Sequence, residues 1–358
     1  SWWVNPFGHS NTFIADAINK IEINLWYFHS ENNMYSFRTQ PNINRVIVET
    51  EDILKENQIA EELKSRIKSI GGNRLEVYLW PENHSDIPDN KNYKLAVLSP
   101  EYLYNAVSIE KIVLEFFNKS GISFRIYKNT LFILALNEGH FINLKRNIKR
   151  ILALKQINND HVLLEKLTRE SQNELKEKLK DAERNISFEI LTAYRHLAII
   201  KQQGITWYDL GIPTVGMADT LSERIRKYLQ DQEKILSKVS VKYILENTFA
   251  AEEEEKVISD IYDIFLKTPG MALLENQNVL LAALSEGVKT GTIGIKVDDT
   301  IYYRQPVNVT FDAAVMRAEK AMKLKEKEQH VTPETENKKP DVEEVVEDRV
   351  HRALGEAH

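Results

Sequence analysis

Apolar and polar positions alternate along this chain with two periods, and the changes between them outline its elements. Residues 13–25, "FIADAINKIEINL", carry apolar side chains at helical spacing. The stretch that follows, "WYFHSENNMYSFRTQPNINRVI" (residues 26–47), changes to strand, tight turn, strand and then a helix start. Asn32 and Asn33 sit at the turn, where Asn tolerates the positive φ of tight hairpins. Pro41 ends the second strand because it lacks an N–H, and Asn42 is placed to cap the next helix. Residues 1–45 therefore predict a helix–hairpin module of winged-helix type.

Residues 46–155 predict an α/β domain. "LEVYLW" and "YKLAVLSP" are short apolar runs ended by Pro81 and Pro100, and they read as strands. "SIEKIVLEFFNKSG" reads as a helix with Ser108 as cap and Gly121 as stop. "SFRIYKNTLFILAL" reads as two strands joined near Lys128 and Asn129, and residues 138–157 return to helical spacing. Residues 156–265 predict a helical domain. In its charged first part the apolar stripe is thin (Leu167, Leu175, Leu179), "FEILTAYRHLAII" is an apolar helix that packs inside, and "TWYDLGIPTVGMADT" is a loop. Residues 266–315 carry a second helix–hairpin, with Asp298 and Asp299 at its turn. Residues 316–358 form a charged tail expected to be disordered or a frayed helix, whose last part places Val342, Val345, Val346 and Val350 at helical spacing, as in a short amphipathic helix that docks on a partner. The fold class expected is mixed α/β and multidomain, with winged-helix-like modules at both ends, a central α/β domain and a helical region.

Composition narrows the chemistry. The chain has 358 residues with a net charge of −6, so it has no global basic field for nucleic acid, and any such contact has to come from a local patch. There is no cysteine, which excludes thiol catalysis and leaves any metal site to His and carboxylates. No apolar run reaches the roughly 20 residues that span a bilayer. No secretory signal opens the chain, and a cytoplasmic location without membrane contact is expected. The abrupt start at Ser1 predicts a piece of a longer polypeptide.

Catalytic signatures are absent from the sequence. A phosphate-binding loop of Walker A type needs Gly followed by Lys, and no Gly here is followed by Lys. "LFILALNE" has the outline of an apolar strand ending in an acid, but without that loop it reads as a core strand. There is no His-Glu-x-x-His and no Gly-x-Ser-x-Gly. His84 reads as a surface-loop residue and His196 as a satisfied buried histidine.

The remaining candidates are cations near the two hairpins, since DNA contact needs Lys, Arg or amide groups on those elements. The first module offers Lys20, Arg38 and Gln40, against Glu22 and Glu31. The second offers Lys289, Lys296 and Arg304, against Asp298 and Asp299 at the hairpin tip. Lys145, Arg146, Lys149 and Arg150 in "NLKRNIKR" form a candidate phosphate patch, whose plainer reading is a solvated helix face. The alternative for both hairpin modules is packing against protein.

Several segments, in order, carry a family resemblance: "WYFHSENNMYSFRTQPNINRVI", "KLAVLSPEY", "FRIYKNTLFILAL", "LGIPTVGMADTLSERIRKYL" and "LSEGVKTGTIGI". Together they resemble the C-terminal half of a family of large prokaryotic P-loop, AAA-like ATPases of unknown function. Such ATPases are often encoded beside adenine-specific DNA methyltransferases in anti-phage or restriction-like clusters. The resemblance spans most of residues 8–310. It implies that ATP and Mg belong to a preceding N-terminal part, with no cofactor in this chain. It also implies a non-catalytic, defence-associated scaffold that engages duplex DNA, the ATPase core of the same polypeptide, or a DNA methyltransferase. Under it Arg125 and Asn129 sense nucleotide or a neighbouring subunit, or else only satisfy a hairpin turn. The alternative function is an autonomous winged-helix DNA-binding regulator.

Overall fold

The computed structural model describes residues 11–25, 27–31, 34–37, 42–214 and 220–330, and they form a mixed α/β fold. The expected turn residues Asn32, Asn33 and Pro41 lie outside the described residues, as do Arg38, Gln40 and the four tail valines.

At the N-terminal end, helix α1 (Asn11–Asn24) precedes an antiparallel hairpin of β1 (Phe28–Glu31) and β2 (Met34–Phe37). Phe28 is its aromatic centre: the Tyr35 ring stacks on it at 5.7 Å and Phe37 meets it edge-on at 5.4 Å. Asn42 caps helix α2 (Ile43–Ile53) as its position predicts, accepting the Asn44 N–H at 2.9 Å. The same side chain donates to the Phe28 carbonyl at 2.6 Å, so one buried amide ties the helix start to the hairpin.

The core of the α/β part is one five-stranded sheet. Helix α3 (Glu56–Ser69) leads into β3 (Glu76–Leu79), and β4 (Lys94–Val97) follows in parallel beside it. Helix α4 (Ile109–Asn118) and a two-stranded hairpin, β5 (Lys119–Ser120) with β6 (Ser123–Phe124), lead to the central strand β7 (Leu131–Leu136), parallel to β4. All six side chains of β7 are buried, because both faces of the strand are covered. Helices α5 (Glu138–Asn159), α6 (His161–Glu165) and α7 (Arg169–Ala193) return the chain to an antiparallel pair, β8 (Tyr194–Lys201) and β9 (Gly204–Asp209). The strand order is β3-β4-β7-β8-β9. On one face of the sheet α4 supplies Ile109, Val113, Phe116 and Phe117. On the other, α3, α5 and α7 join helix α8 (Leu221–Asp231) through Leu63, Leu144, Ile148, Ile190 and Ile225. A short parallel pair, β10 (Ile235–Leu236) with a strand near residue 273, closes this side.

Two expectations are corrected here. The 188–200 stretch is a helix only as far as Ala193, and Tyr194–Lys201 is strand β8. The helical reading of 156–265 fails at the β8–β9 hairpin because pairing with β7 outweighs local helix propensity. The two strands read in "SFRIYKNTLFILAL" are β6 and β7, but they do not pair with each other: Lys128–Thr130 between them is a 3-10 turn whose Asn129 and Thr130 are buried.

The chain divides into two compact units, a coarser division than the five segments expected. The first comprises residues 1–237 and 262–276, the second residues 238–261 and 277–358. In the second, α9 (Val241–Thr248) and β11 (Glu255–Val257) are followed by α10 (Ile258–Lys267), which runs on into the first unit, where β12 (Leu273–Leu274) pairs with β10. Helix α11 (Gln277–Thr290) then leads to β13 (Ile293–Val297) and β14 (Thr300–Tyr302). Asp298 and Asp299 make their turn as expected, Asp298 with φ 52°. Strand β15 (Ala314–Arg317) and helix α12 (Ala318–His330) complete the described part. The sheet order is β11-β15-β13-β14, so the second hairpin belongs to a four-stranded antiparallel sheet. Part of the expected charged tail is thus helix α12. Among the described residues no helix is long and apolar enough to cross a membrane.

Candidate functional site

A group of titratable side chains gathers where β7 ends, β8 begins and β9 ends. Asn137 follows β7 and caps α5, its Oδ1 accepting the His140 N–H at 3.2 Å. That bond fixes which end of the amide is nitrogen, so Nδ2 faces His196 Nε2 at 3.2 Å. An amide nitrogen only donates, so Nε2 accepts, and neutral His196 carries its proton on Nδ1. The His196 ring stacks on Tyr104 with centroids 3.8 Å apart, and Trp207 meets Tyr104 edge-on at 5.1 Å. Burial holds the His196 pKa below its ordinary value; Asp209 opposes that shift, while Arg195 and His140 add to it.

Arg195 donates to both oxygens of Asp209, each at 2.6 Å, and its third nitrogen lies 3.4 Å from His140 Nε2. The guanidinium holds the Asp209 carboxyl below the usual carboxylate range. Behind them Arg224 is buried and donates to the carbonyl oxygens of Leu191, Tyr194, Leu210 and Gly211. No carboxylate pairs with it among the described residues, and burial pushes its pKa down to about 10. The group is a latch across three strand ends. Its imidazole is closed off by Tyr104, it includes no Ser nucleophile, and among the described residues no cluster of three or more metal-ligating groups exists.

The residues singled out from sequence separate into distinct places. Arg125 is buried, and its guanidinium donates to the carbonyls of Phe116 (3.0 Å), Pro88 (3.1 Å), Ile87 (3.0 Å) and Lys119 (3.2 Å), with Asp89 3.9 Å away. Asn129 donates to the carbonyls of Phe265 (2.8 Å) and Met271 (3.1 Å). Both are committed to internal main chain, so neither presents a free group for sensing nucleotide or a neighbour. On α5, Lys145 pairs with Glu56 (2.8 Å), Lys149 with Asp52 (3.6 Å) and Arg150 with Glu51 (3.8 Å). Arg146 donates to Asn143 on its own helix. The acids of α2 and α3 therefore neutralise most of the expected phosphate patch. Lys20 is exposed on α1. In the second unit Lys296 reaches toward Asp299 at 3.8 Å, while Lys289 and Arg304 are exposed, and the Arg304 stem passes against Gly291 at the end of α11.

Sequence reading missed Asn137, Arg195, Asp209 and Arg224. The polar residue directly after an apolar strand and before a helix was the available signal for Asn137; the others depend on β8 and β9 being strands. Lys94 was also missed. It is fully buried at the start of β4, where its ammonium donates to Asn90 O (2.7 Å), Asn90 Oδ1 (2.9 Å), Asn92 O and Thr130 Oγ1 (3.0 Å). No protein-family model, no curated protein and no solved structure matches this chain.

Proposed function

We propose that this chain is a non-catalytic scaffold region of a defence-associated ATPase machine, the class its ordered segments resemble, and that it contacts protein. The observation that carries this reading is the first hairpin. All four residues of β2 are exposed, and Met34 and Phe37 stand 70% and 73% open. Tyr27, Leu25 and Ile21 add apolar surface nearby in sequence. Exposed apolar side chains of this kind suit a protein contact better than a phosphate backbone. The pairing of the α5 cations supports the same reading.

A second reading, duplex contact, is favoured by the second unit. There the β13–β14 hairpin follows α11, as the wing follows the recognition helix in a winged helix, and Lys289 and Arg304 are exposed at the junction of α11 and the hairpin.

Two measurements on the whole chain decide between these readings and an enzyme. ATP turnover by the purified chain is expected to equal the buffer blank; hydrolysis that follows the protein through successive columns overturns the scaffold reading. Duplex binding is then titrated against salt for the wild type, for a Lys20→Glu, Arg38→Glu variant and for a Lys289→Glu, Arg304→Glu variant. The scaffold reading expects no salt-dependent binding. Binding lost only in the second variant makes the second unit a DNA reader.

A further inference from the structure

Strand β3 is an edge of the five-stranded sheet and pairs only with β4. The Glu76 N–H bonds to Tyr93 O at 2.9 Å and the Trp80 N–H to Val97 O at 2.8 Å. Main-chain groups alternate along a strand, so those of Val77 and Leu79 point away from the sheet. Among the described residues no main-chain hydrogen bond closes on them. Pro81 follows and has no N–H, which limits the open row to this short stretch.

The open row borders a groove of about 590 Å³. One wall is the face of α3 that carries Glu61, Lys64 and Lys68, with Ser65, at a helical spacing of three and four. The floor is Val77 and Leu79, and Gly71 closes the end next to Lys68, where a Cβ would lie 3.6 Å from Val77. Lys64 Nζ stands 5.6 Å from the Trp80 ring centroid, and Lys68 is exposed. Neither lysine pairs with a carboxylate among the described residues. Two lysines against one glutamate make the groove a place for negative charge on its occupant.

We propose that the β3 edge and the α3 face form a docking groove for an extended acidic and apolar peptide of a partner protein, which adds as a sixth strand. The chemistry selects that occupant. Donors and acceptors two residues apart on a flat edge match an extended main chain, and alternate side chains then fall into the groove. Apolar side chains would cover Val77 and Leu79, and carboxylates would meet Lys64 and Lys68. The inference deepens the scaffold reading and rests on it for the existence of a protein partner, but it concerns a different surface from the hairpin.

The test uses the whole chain and a labelled, capped peptide of alternating valine and glutamate. Anisotropy measures its binding, and amide hydrogen exchange locates it. The valine–glutamate peptide is expected to bind and to slow exchange at Val77 and Leu79. A valine–lysine peptide, and a valine–glutamate peptide N-methylated at alternate amides, are expected to bind at least tenfold more weakly. A Lys64→Glu, Lys68→Glu variant is expected to reverse the preference toward the lysine peptide; Lys68 is exposed and Lys64 half-buried at the groove, and circular dichroism checks that the fold is retained. No binding, binding indifferent to N-methylation, or protection confined to other strands overturns the proposal. Slow exchange at Val77 and Leu79 without peptide shows the edge already covered and also overturns it. Because Met34→Ser and Phe37→Ser variants leave the groove intact, they separate a failure here from a failure of the hairpin-based scaffold reading.

Discussion

Two buried cations, Lys94 and Arg224, share one device: Lys94 is solvated by carbonyl and side-chain oxygens and Arg224 by carbonyls, where a carboxylate would be usual, while Arg125 adds Asp89 at 3.9 Å to its four carbonyls. Such a group is costly to bury charged, and Lys94 shows the consequence. Burial pushes its pKa down to about 8 from 10.5, with Arg125 adding to the shift. The unfolded chain then binds more protons than the folded one between pH 8 and 10.5, so stability rises with pH in that window. The full shift corresponds to about 3 kcal/mol. Tyr93 and Tyr194 act in the opposite sense, because burial holds both phenols well above their ordinary 10.0. Above pH 10 the unfolded tyrosines ionise first, and stability falls. Urea midpoints measured from pH 7 to 11 should therefore climb from pH 8 to a maximum near pH 10 and then drop; a profile flat from pH 8 to 10 would refute the assignment. In Lys94→Met the climb should vanish. None of this was legible in the sequence, since a lysine followed by "LAV" looks the same whether it ends a strand in solvent or inside. Asn42 was legible, because a cap is a local bond between near neighbours and selects a short list of side chains.

Elements follow the same division between local and distant causes. Strand β7 could be read directly, because six consecutive apolar residues suit a strand covered on both faces. Strand β8 could not, because residues 188–200 hold neither Gly nor Pro to mark where α7 stops, and the strand's partner, β7, lies about sixty residues earlier. Strands β11 and β15 are shorter still and pair across a similar gap. Their sheet depends on close approach at Gly294 of β13. A Cβ there would lie 2.2 Å from the Ala321 Cβ of α12 and 2.9 Å from Met316 Cγ. Backbone conformation is not the obstacle, since only space is lacking. Gly294→Ala is therefore expected to force α12 off the sheet and to destabilise the second unit by about 1–3 kcal/mol. Thermal unfolding followed by circular dichroism measures this. An alanine variant as stable as the wild type would mean that the α12 contact contributes nothing.

Charge organises the molecule as a whole. A net charge of −6 disfavours polyanions at long range, and the basic face of α5 is screened by acids of α2 and α3. Pairing of this kind has a signature different from that of a phosphate site. Reversing Lys145 and Lys149 to glutamate sets like charges against Glu56 and Asp52. Exposed pairs contribute little, so the cost is about 1 kcal/mol at low salt, and it fades in 1 M salt, where screening acts within about 3 Å. Duplex affinity, if any is present through the second unit, should not change. Denaturation of the double variant at 20 mM and 1 M salt, together with duplex titration, reads both quantities. A stability unchanged at low salt together with a tenfold fall in duplex affinity would return these lysines to a phosphate-binding role and make the neutralising acids their regulators. A stability loss that disappears with salt, with affinity constant, assigns them to holding α5 against α2 and α3, which positions the covered face of the sheet and leaves the β3 edge as its open border.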